Sequence, residues 1–286
     1  MFALLRLCHP EAMCPQDPGS QDSSGQHSGS QHSGSQRGRQ DGTKAAKART
    51  PRERARAQTI SDILRLGREH LALHGAAGLS LRAVSRDLGL VSSAVYRYVE
   101  SRDELLTLLL IDAYGELGDA VDAAVGEVHS ENYGGQFRAL ARAVRGWALR
   151  EPARYALLFG SPVPGYRAPA ERTMEPGTRV IRTLMRIFDT ACRAGMLRLE
   201  ADAATEVPPA LAVDLEAIRG EFGLVLPDAL LPRCALVWTS LFGAVSFEVF
   251  GQYGADTFAA RDELFQHHLG VLAATAGLSA WRELPA

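Results

Sequence analysis

Residues 80–99 read SLRAVSRDLGLVSSAVYRYV, and this stretch decides the fold. Ser80 is an N-cap candidate for a short helix predicted over Leu81–Leu88, with Leu81, Val84 and Leu88 on one face. Gly89 closes that helix and permits a tight turn. Leu90 and Val91 are expected to re-enter the core. Ser92 caps a third helix predicted over Ser93–Tyr98, with Val95 and either Tyr98 or Val99 facing inward. Small Ser85 falls where two steeply crossing helices must approach, so the spacing is that of a helix-turn-helix.

The pattern extends on both sides. Upstream, Pro51 suits the first turn of a helix, and Ile60, Ile63, Leu64, Gly67, Leu71 and Leu73 recur near helical spacing until Gly75, a left-handed C-terminal position. Downstream, Ser101 with Glu104 three residues on reads as a capping box for a fourth helix carrying Leu105, Leu106, Leu108, Leu109 and Ile111.

Charge divides the chain in the same place. The whole sequence of 286 residues has a formal charge of −2, with 46% hydrophobic and 22% charged residues, the composition of a soluble globular chain. That average conceals opposite signs. Residues 37–102 hold 14 Lys and Arg against 6 Asp and Glu, while residues 103–286 hold 16 against 24. A segment of net +8 favours an anionic partner. Residues 17–42, with HSGSQ twice in tandem at 27–31 and 32–36, offer almost nothing to bury and read as disordered. The expected division is a low-complexity tail over 1–43, a basic arm and helix-turn-helix over 44–112, and a helical domain over 113–286.

Residues 58–110 resemble the DNA-binding domain of TetR-type transcriptional regulators. The matching pieces are HGAAGLSLRAVSRDLGL, the recognition segment VSSAVYRYV and SRDELL at the start of the fourth helix. Val99 stands where the family usually has Phe, and Arg102 where Lys is commoner. The resemblance implies a double-stranded DNA operator as partner. A helix-turn-helix presents the start of its second helix to the major groove. In this projection Ser92, Ser93, Tyr96 and Arg97 point outward. The resemblance assigns Tyr96 to a backbone phosphate and Ser92 and Ser93 to base edges or phosphate, and Arg97 is placed to clamp a guanine or a phosphate. Ser80 and Arg82, at a helix N-terminus, and Arg102 are further candidate phosphate contacts. The arm Lys44–Arg56 reaches either a minor groove or the phosphates, or stays solvated.

The rest reads as helices, with approximate spans 103–127, 132–150, 152–160, 170–195, 201–220, 228–252 and 257–277 and a Pro/Gly break at 161–169. The expected class is all-α: an N-terminal three-helix helix-turn-helix domain, then a ligand-binding and dimerisation bundle. Within EPARYALLFGSPVPGY, Pro152, Tyr155, Leu158, Phe159, Gly160 and Pro164 resemble a TetR subgroup named for a Trp-His-Gly motif. That motif falls at Trp238, Phe242 and Gly243, with Phe242 in place of His. The resemblance implies a pocket for a small-molecule effector and a homodimer through the last two long helices. Candidate pocket residues are Trp147, Tyr155, Phe159, Met185, Phe188, Trp238 and Phe242. The stretch 234–250 is apolar nearly all round, and Ser240, Gly243, Ala244 and Ser246 permit close approach of a second helix.

Other classes find little support. His70 and His74 are spaced i,i+4 as two metal ligands are, but no third ligand or HExxH arrangement accompanies them. His267-His268 carries no further signature. No nucleophile–base motif is recognisable, so no catalytic residue, cofactor or metal is expected. An effector-independent or architectural DNA-binding protein is the main competing class. Four cysteines without a CxxC pair make no disulfide framework and point to the cytoplasm, with the nucleoid as the place of work when bound to DNA. The longest charge-free apolar stretch, Cys234–Phe247, has 14 residues, short of the roughly 18–20 that a membrane span needs.

Overall fold

A computed structural model of the chain describes residues 50–198 and 207–278. The expected tail over 1–43, the arm before Thr50 and the start of the helix expected over 201–220 lie outside the described residues. Within them ten α-helices follow one another: α1 (Pro51–His74), α2 (Leu81–Asp87), α3 (Ser92–Val95), α4 (Arg102–Gly126), α5 (Tyr133–Arg150), α6 (Pro152–Phe159), α7 (Ala170–Arg193), α8 (Pro209–Phe222), α9 (Leu231–Val249) and α10 (Arg261–Thr275). The only β feature there is an isolated antiparallel bridge between Leu197 and Leu278. The fold is all-α.

Local chemistry sets the helix ends. Thr50 Oγ1 accepts from the Glu53 amide and the Glu53 carboxylate accepts from the Thr50 amide, a complete capping box. Ser101 caps α4 by accepting from the Glu104 amide at 3.0 Å. The return half of the box expected there is replaced: the Glu104 carboxylate takes two hydrogen bonds from Arg172 of α7, at 2.6 and 2.9 Å. A bidentate, charge-assisted pair outcompetes a single backbone donor.

The first core gathers Ile63 and Leu66 of α1, Leu79, Leu81 and Val84 of α2 and its approach, Val95 and Val99, and Leu105, Leu106 and Leu109 of α4. Gly67 lets α1 lie close on α4, where an added Cβ would stand 3.4 Å from Leu105 and Leu109. Two expectations need correction here. Leu90 and Val91 do not re-enter the core; both are exposed, Val91 at 72%. Gly89, at φ 69°, reverses the chain, so the two residues after it run along the outside of the turn, and it is Val95 and Val99 that reach inward. Helix α3 also ends at Val95 rather than Tyr98, because the Tyr98 amide bonds back to Val95 O, an i→i+3 contact that tightens the last turn. Tyr98 is half-buried beneath the Arg56 guanidinium, 5.3 Å from its ring centre.

His70 Nε2 meets the Asp87 carboxylate at 2.7 Å, fastening α1 to the end of α2. That hydrogen bond, helped by nearby Arg86, holds the Asp87 carboxyl below its usual range. A depressed carboxyl pKa stabilises the fold above the usual carboxylate range, and the contribution is lost as pH falls through the lowered value.

The second core begins at Leu110 of α4 and collects α5, α6, α7, α9 and α10 with Leu215 of α8. Arg145 of α5 locks three helices together. It donates twice to Glu248 of α9, at 2.6 and 2.7 Å, and once to Asp262 of α10 at 2.5 Å, with its guanidinium over the Phe265 ring. The Glu248 side chain is only 8% exposed, so this pair is a buried one.

Two outcomes are expected. Glu248→Gln strips Arg145 of a buried partner and costs about 3 kcal/mol in chemical denaturation; a loss below about 1 kcal/mol, typical of an exposed pair, contradicts the assignment. The stability difference between wild type and Asp87→Asn, measured by urea titration from neutrality to about pH 3, shrinks as the acid form of Asp87 fills; a constant difference contradicts the pairing.

Candidate nucleic-acid interface and sensor core

The turn at Gly89 and the short α3 bring a continuous set of side chains to the surface. Ser92, Ser93, Tyr96 and Arg97 are all exposed, Tyr96 at 40%, while Val95 and Val99 between them are fully buried. Helical spacing places Tyr96 beside both Ser92 and Ser93, and Arg97 beside Ser93. Leu90 and Val91 share this exposed turn. Sequence reasoning missed them because apolar residues flanking a Gly read as core. Arg82 is exposed near the start of α2, and Ser80 caps that helix by accepting from the Ala83 amide at 3.4 Å. Neither Arg82 nor Arg97 forms an ion pair among the described residues, whereas exposed Arg65 and Arg86 lie beside Glu69 and Asp87.

Arg102 is placed differently. Its Nε donates to Leu79 O at 3.1 Å, and its Nη2 to Ala76 O and Ala77 O at 3.0 and 3.2 Å. The guanidinium holds the α1–α2 turn onto α4, and most of its donors are engaged inside the module.

In the second core the sequence-predicted pocket residues separate into groups. Tyr155, Phe159, Trp238 and Phe242 form one aromatic chain. Ring centres stand 5.1 Å apart for Tyr155–Phe159, 4.6 Å for Phe159–Phe242 and 4.1 Å for Trp238–Phe242. Tyr114 joins edge-on at Phe159, and Phe250 joins at Tyr155 with its ring tilted. The Tyr155 hydroxyl lies 2.9 Å from Ser246 Oγ and 3.2 Å from Phe242 O. Burial pushes that phenol up to about 12 against a smaller opposing pull from Ser246, so it is neutral at physiological pH. Phe188 packs instead on Phe137 at 5.7 Å, and Met185 is buried in the same core. Trp147 stands apart. Its Nε1 donates to Glu116 at 3.2 Å, and the Arg154 guanidinium lies over its ring. Cys192 and Cys234 are free thiols whose pKa values burial raises, Cys234 to about 12, which disfavours the thiolate, the nucleophilic form. No cluster of metal-ligating side chains occurs among the described residues, and none of their helices is long and apolar enough to cross a membrane.

Known proteins are similar to this chain in sequence and fold. Residues 137–272 match the family model described as tetracyclin repressor-like, C-terminal domain. Helix-turn-helix-type transcriptional regulators of Mycobacterium tuberculosis (strain H37Rv) and Mycobacterium bovis are each 49% identical over 223 residues, covering 78% of this chain and 94% of theirs. The crystal structure of the regulatory protein SCO4313 is 35% identical with a TM-score of 0.63, covering 79% of this chain and 100% of that one. A regulatory protein of the TetR family from Rhodococcus RHA1, 12% identical with a TM-score of 0.51 over 77% of this chain and 97% of its own, shares the fold. The chain belongs to the TetR family and is a helix-turn-helix transcriptional regulator rather than an enzyme.

Proposed function

We propose that the chain is a homodimeric repressor. It reads a palindromic operator through Ser92, Ser93, Tyr96 and Arg97, with Ser80 and Arg82 on phosphates, and leaves DNA when a small, largely apolar ligand enters its C-terminal core. Residues 44–112 are the reader and 113–286 the sensor and dimerisation domain. The observation that carries this reading is the exposed set at the turn and α3: hydroxyls, a phenol and a guanidinium without an ion pair among the described residues, on a segment of net positive charge. Arg102 serves the same surface indirectly, by fixing the α1–α2 turn.

The dimer reading is supported on α9. Leu236, Ser240, Gly243 and Phe247 recur at i, i+4, i+7 and i+11 and share one face. Leu236 is 52% and Phe247 49% exposed, and a Cβ added at Gly243 meets nothing within 4 Å. Val271 on α10 is also exposed. Two-fold symmetry then matches two half-sites. The ligand reading is supported by the aromatic chain Tyr155–Phe159–Phe242–Trp238 and its neutral phenol. With Phe242 in place of the subgroup's His, that chain holds no basic group, which suits an apolar guest. A regulator of this kind works in the cytoplasm, on the nucleoid.

Selection of bound duplexes from a randomised pool identifies the operator. Tyr96→Ala is expected to lose operator binding in a gel shift while its helical circular dichroism is unchanged; full affinity contradicts the role given to Tyr96. Operator affinity is expected to fall steeply between two salt concentrations, because several phosphates are neutralised together; a flat response contradicts the electrostatic reading. Phe247→Glu is expected to yield monomers in sedimentation and to abolish palindrome binding; an intact dimer contradicts the α9 interface. An operator complex that survives a broad set of apolar metabolites favours the effector-independent regulator instead.

A further inference from the structure

Where the two cores meet, one carboxylate is shared by two guanidinium groups from different parts of the chain. Asp112 of α4 accepts from Arg68 of α1 through both oxygens, at 2.9 and 2.6 Å. The oxygen that takes Arg68 Nε also takes Arg154 Nη2 of α6, at 2.9 Å. Arg154 is the buried member: its side chain is 4% exposed. Its Nη1 donates to Glu116 at 2.6 Å and stands 3.5 Å from Glu151. Its Nε is buried with no acceptor. The other Glu116 oxygen takes the Trp147 indole, whose ring lies under the Arg154 guanidinium, 5.5 Å from its centre.

We propose that Arg154 is the positioning residue that couples the aromatic core to the DNA-reading module, by sharing Asp112 with Arg68. This rests on the ligand and operator reading above. Helix α6 has eight residues, about 12 Å of rigid rod. Its adjacent residues face two systems. Tyr155 lies in the aromatic chain and is tied to α9 through Phe242 O and Ser246, while Arg154 is tied to α4 through Asp112 and Glu116. A guest that displaces Tyr155 therefore displaces Arg154 with it.

The ionic joint answers such a displacement by switching rather than stretching. Two guanidinium groups face three carboxylates, Asp112, Glu116 and Glu151, and a buried guanidinium cannot leave one of them without taking another. The unmatched Nε means that the present grip does not satisfy every donor, so a second arrangement on Glu116 and Glu151 can compete with it. Once Arg154 withdraws, Asp112 belongs to Arg68 alone. Arg68 lies on α1 two residues before His70, which holds Asp87 at the end of α2. The connection thus runs from Tyr155 through Arg154, Asp112 and Arg68 to the helix that carries the reader, with a hydrogen bond or a covalent turn at every step. Coupling between two sites acts in both directions, so operator binding must be felt at Trp147, which touches the joint but not DNA.

The test uses the full chain with fluorotryptophan incorporated, its Trp147 fluorine resonance assigned by Trp147→Phe. Adding the selected operator duplex is expected to shift that resonance, and an unrelated duplex of equal length is not. In Arg68→Met, which alters no proposed DNA contact and does not touch the indole, the operator-induced shift is expected to vanish. Arg154→Lys, which keeps the charge and loses the fork, is expected to diminish it. A full shift in Arg68→Met, or none in the wild type when the operator is bound, overturns the proposal. If the wild type selects no duplex at all, the operator reading fails by itself and the DNA-free protein decides the joint. There a displaced Trp147 resonance in Arg68→Met supports it and an unmoved one overturns it. Asp112→Asn, which removes the shared charge at nearly constant volume, repeats both arms should Arg68→Met fold poorly.

Discussion

Helix α4 is the constraint on which the rest of the structure depends. Its 25 residues extend about 37 Å, and its apolar side is divided between two cores: Leu105, Leu106 and Leu109 belong to the first, Leu110 through Val121 to the second. A helix buried on one side along its whole length can be placed only if its polar side is satisfied too. Five of the six acids of α4 are engaged by arginine from another helix: Glu104 by Arg172, Asp112 by Arg68 and Arg154, Glu116 by Arg154, Asp119 and Asp122 by Arg179, while Asp103 lies beside Arg102 of α4 itself. Gly118 permits the last of these, since a Cβ there would lie 2.6 Å from Arg179 Cδ. Several of these pairs are partly exposed and individually weak. Their joint effect is to set the rotation of α4 against α1, α6 and α7.

The same ladder shows what was legible in the sequence. The helix-turn-helix was, because its evidence is local: a cap at Ser80, a positive-φ glycine at position 89, apolar residues at 84 and 95, a cap at Ser101. The boundaries of the later helices came within about four residues for the same reason, except that α8 begins at Pro209, where a helix was expected from residue 201. The ionic ladder was not legible. Asp112 and Glu116 stand i,i+4 on an amphipathic helix and read as a solvated face, while Arg68, Arg154 and Arg179 lie about 40 to 60 residues away along the chain. No spacing rule links residues brought together only by the packing of three helices. Leu90 and Val91 failed for a related reason. Hydrophobicity signals burial on average, but their exposure follows from the direction in which one turn sends the chain.

The electrostatic division also looks different once partners are known. In the bundle, Arg145, Arg154, Arg172, Arg179 and Arg219 are all held by carboxylates, so their positive charge is cancelled at close range. Arg82 and Arg97 at the reader surface have no such partner among the described residues. A field that reaches into solvent comes from charges that are not neutralised locally. The net charges of the two parts, +8 over residues 37–102 and −8 over 103–286, are unchanged by this pairing, and they favour the part that carries Tyr96 and Arg97 as the place where a polyanion settles.

Two chemistries meet at α6, and keeping them apart has a physical consequence. The aromatic chain is neutral, with the Tyr155 phenol pushed up to about 12 and no basic side chain among Tyr155, Phe159, Trp238 and Phe242. In the proposed ligand reading a guest there would gain from apolar area removed from water, about 25 cal/mol per Å², a term without direction. Such a term can enlarge or repack a core, but it cannot choose which way a helix moves. Direction has to come from groups with defined geometry, and the forked guanidinium of Arg154 against Asp112 and Glu116 supplies it one residue away from Tyr155. In that reading the apolar contact would fix how strongly a guest is held, while the ionic contact would fix which displacement of α6 is allowed. A core that carried its charges inside the aromatic chain would join the two functions, and any change of guest would also change the direction of the movement.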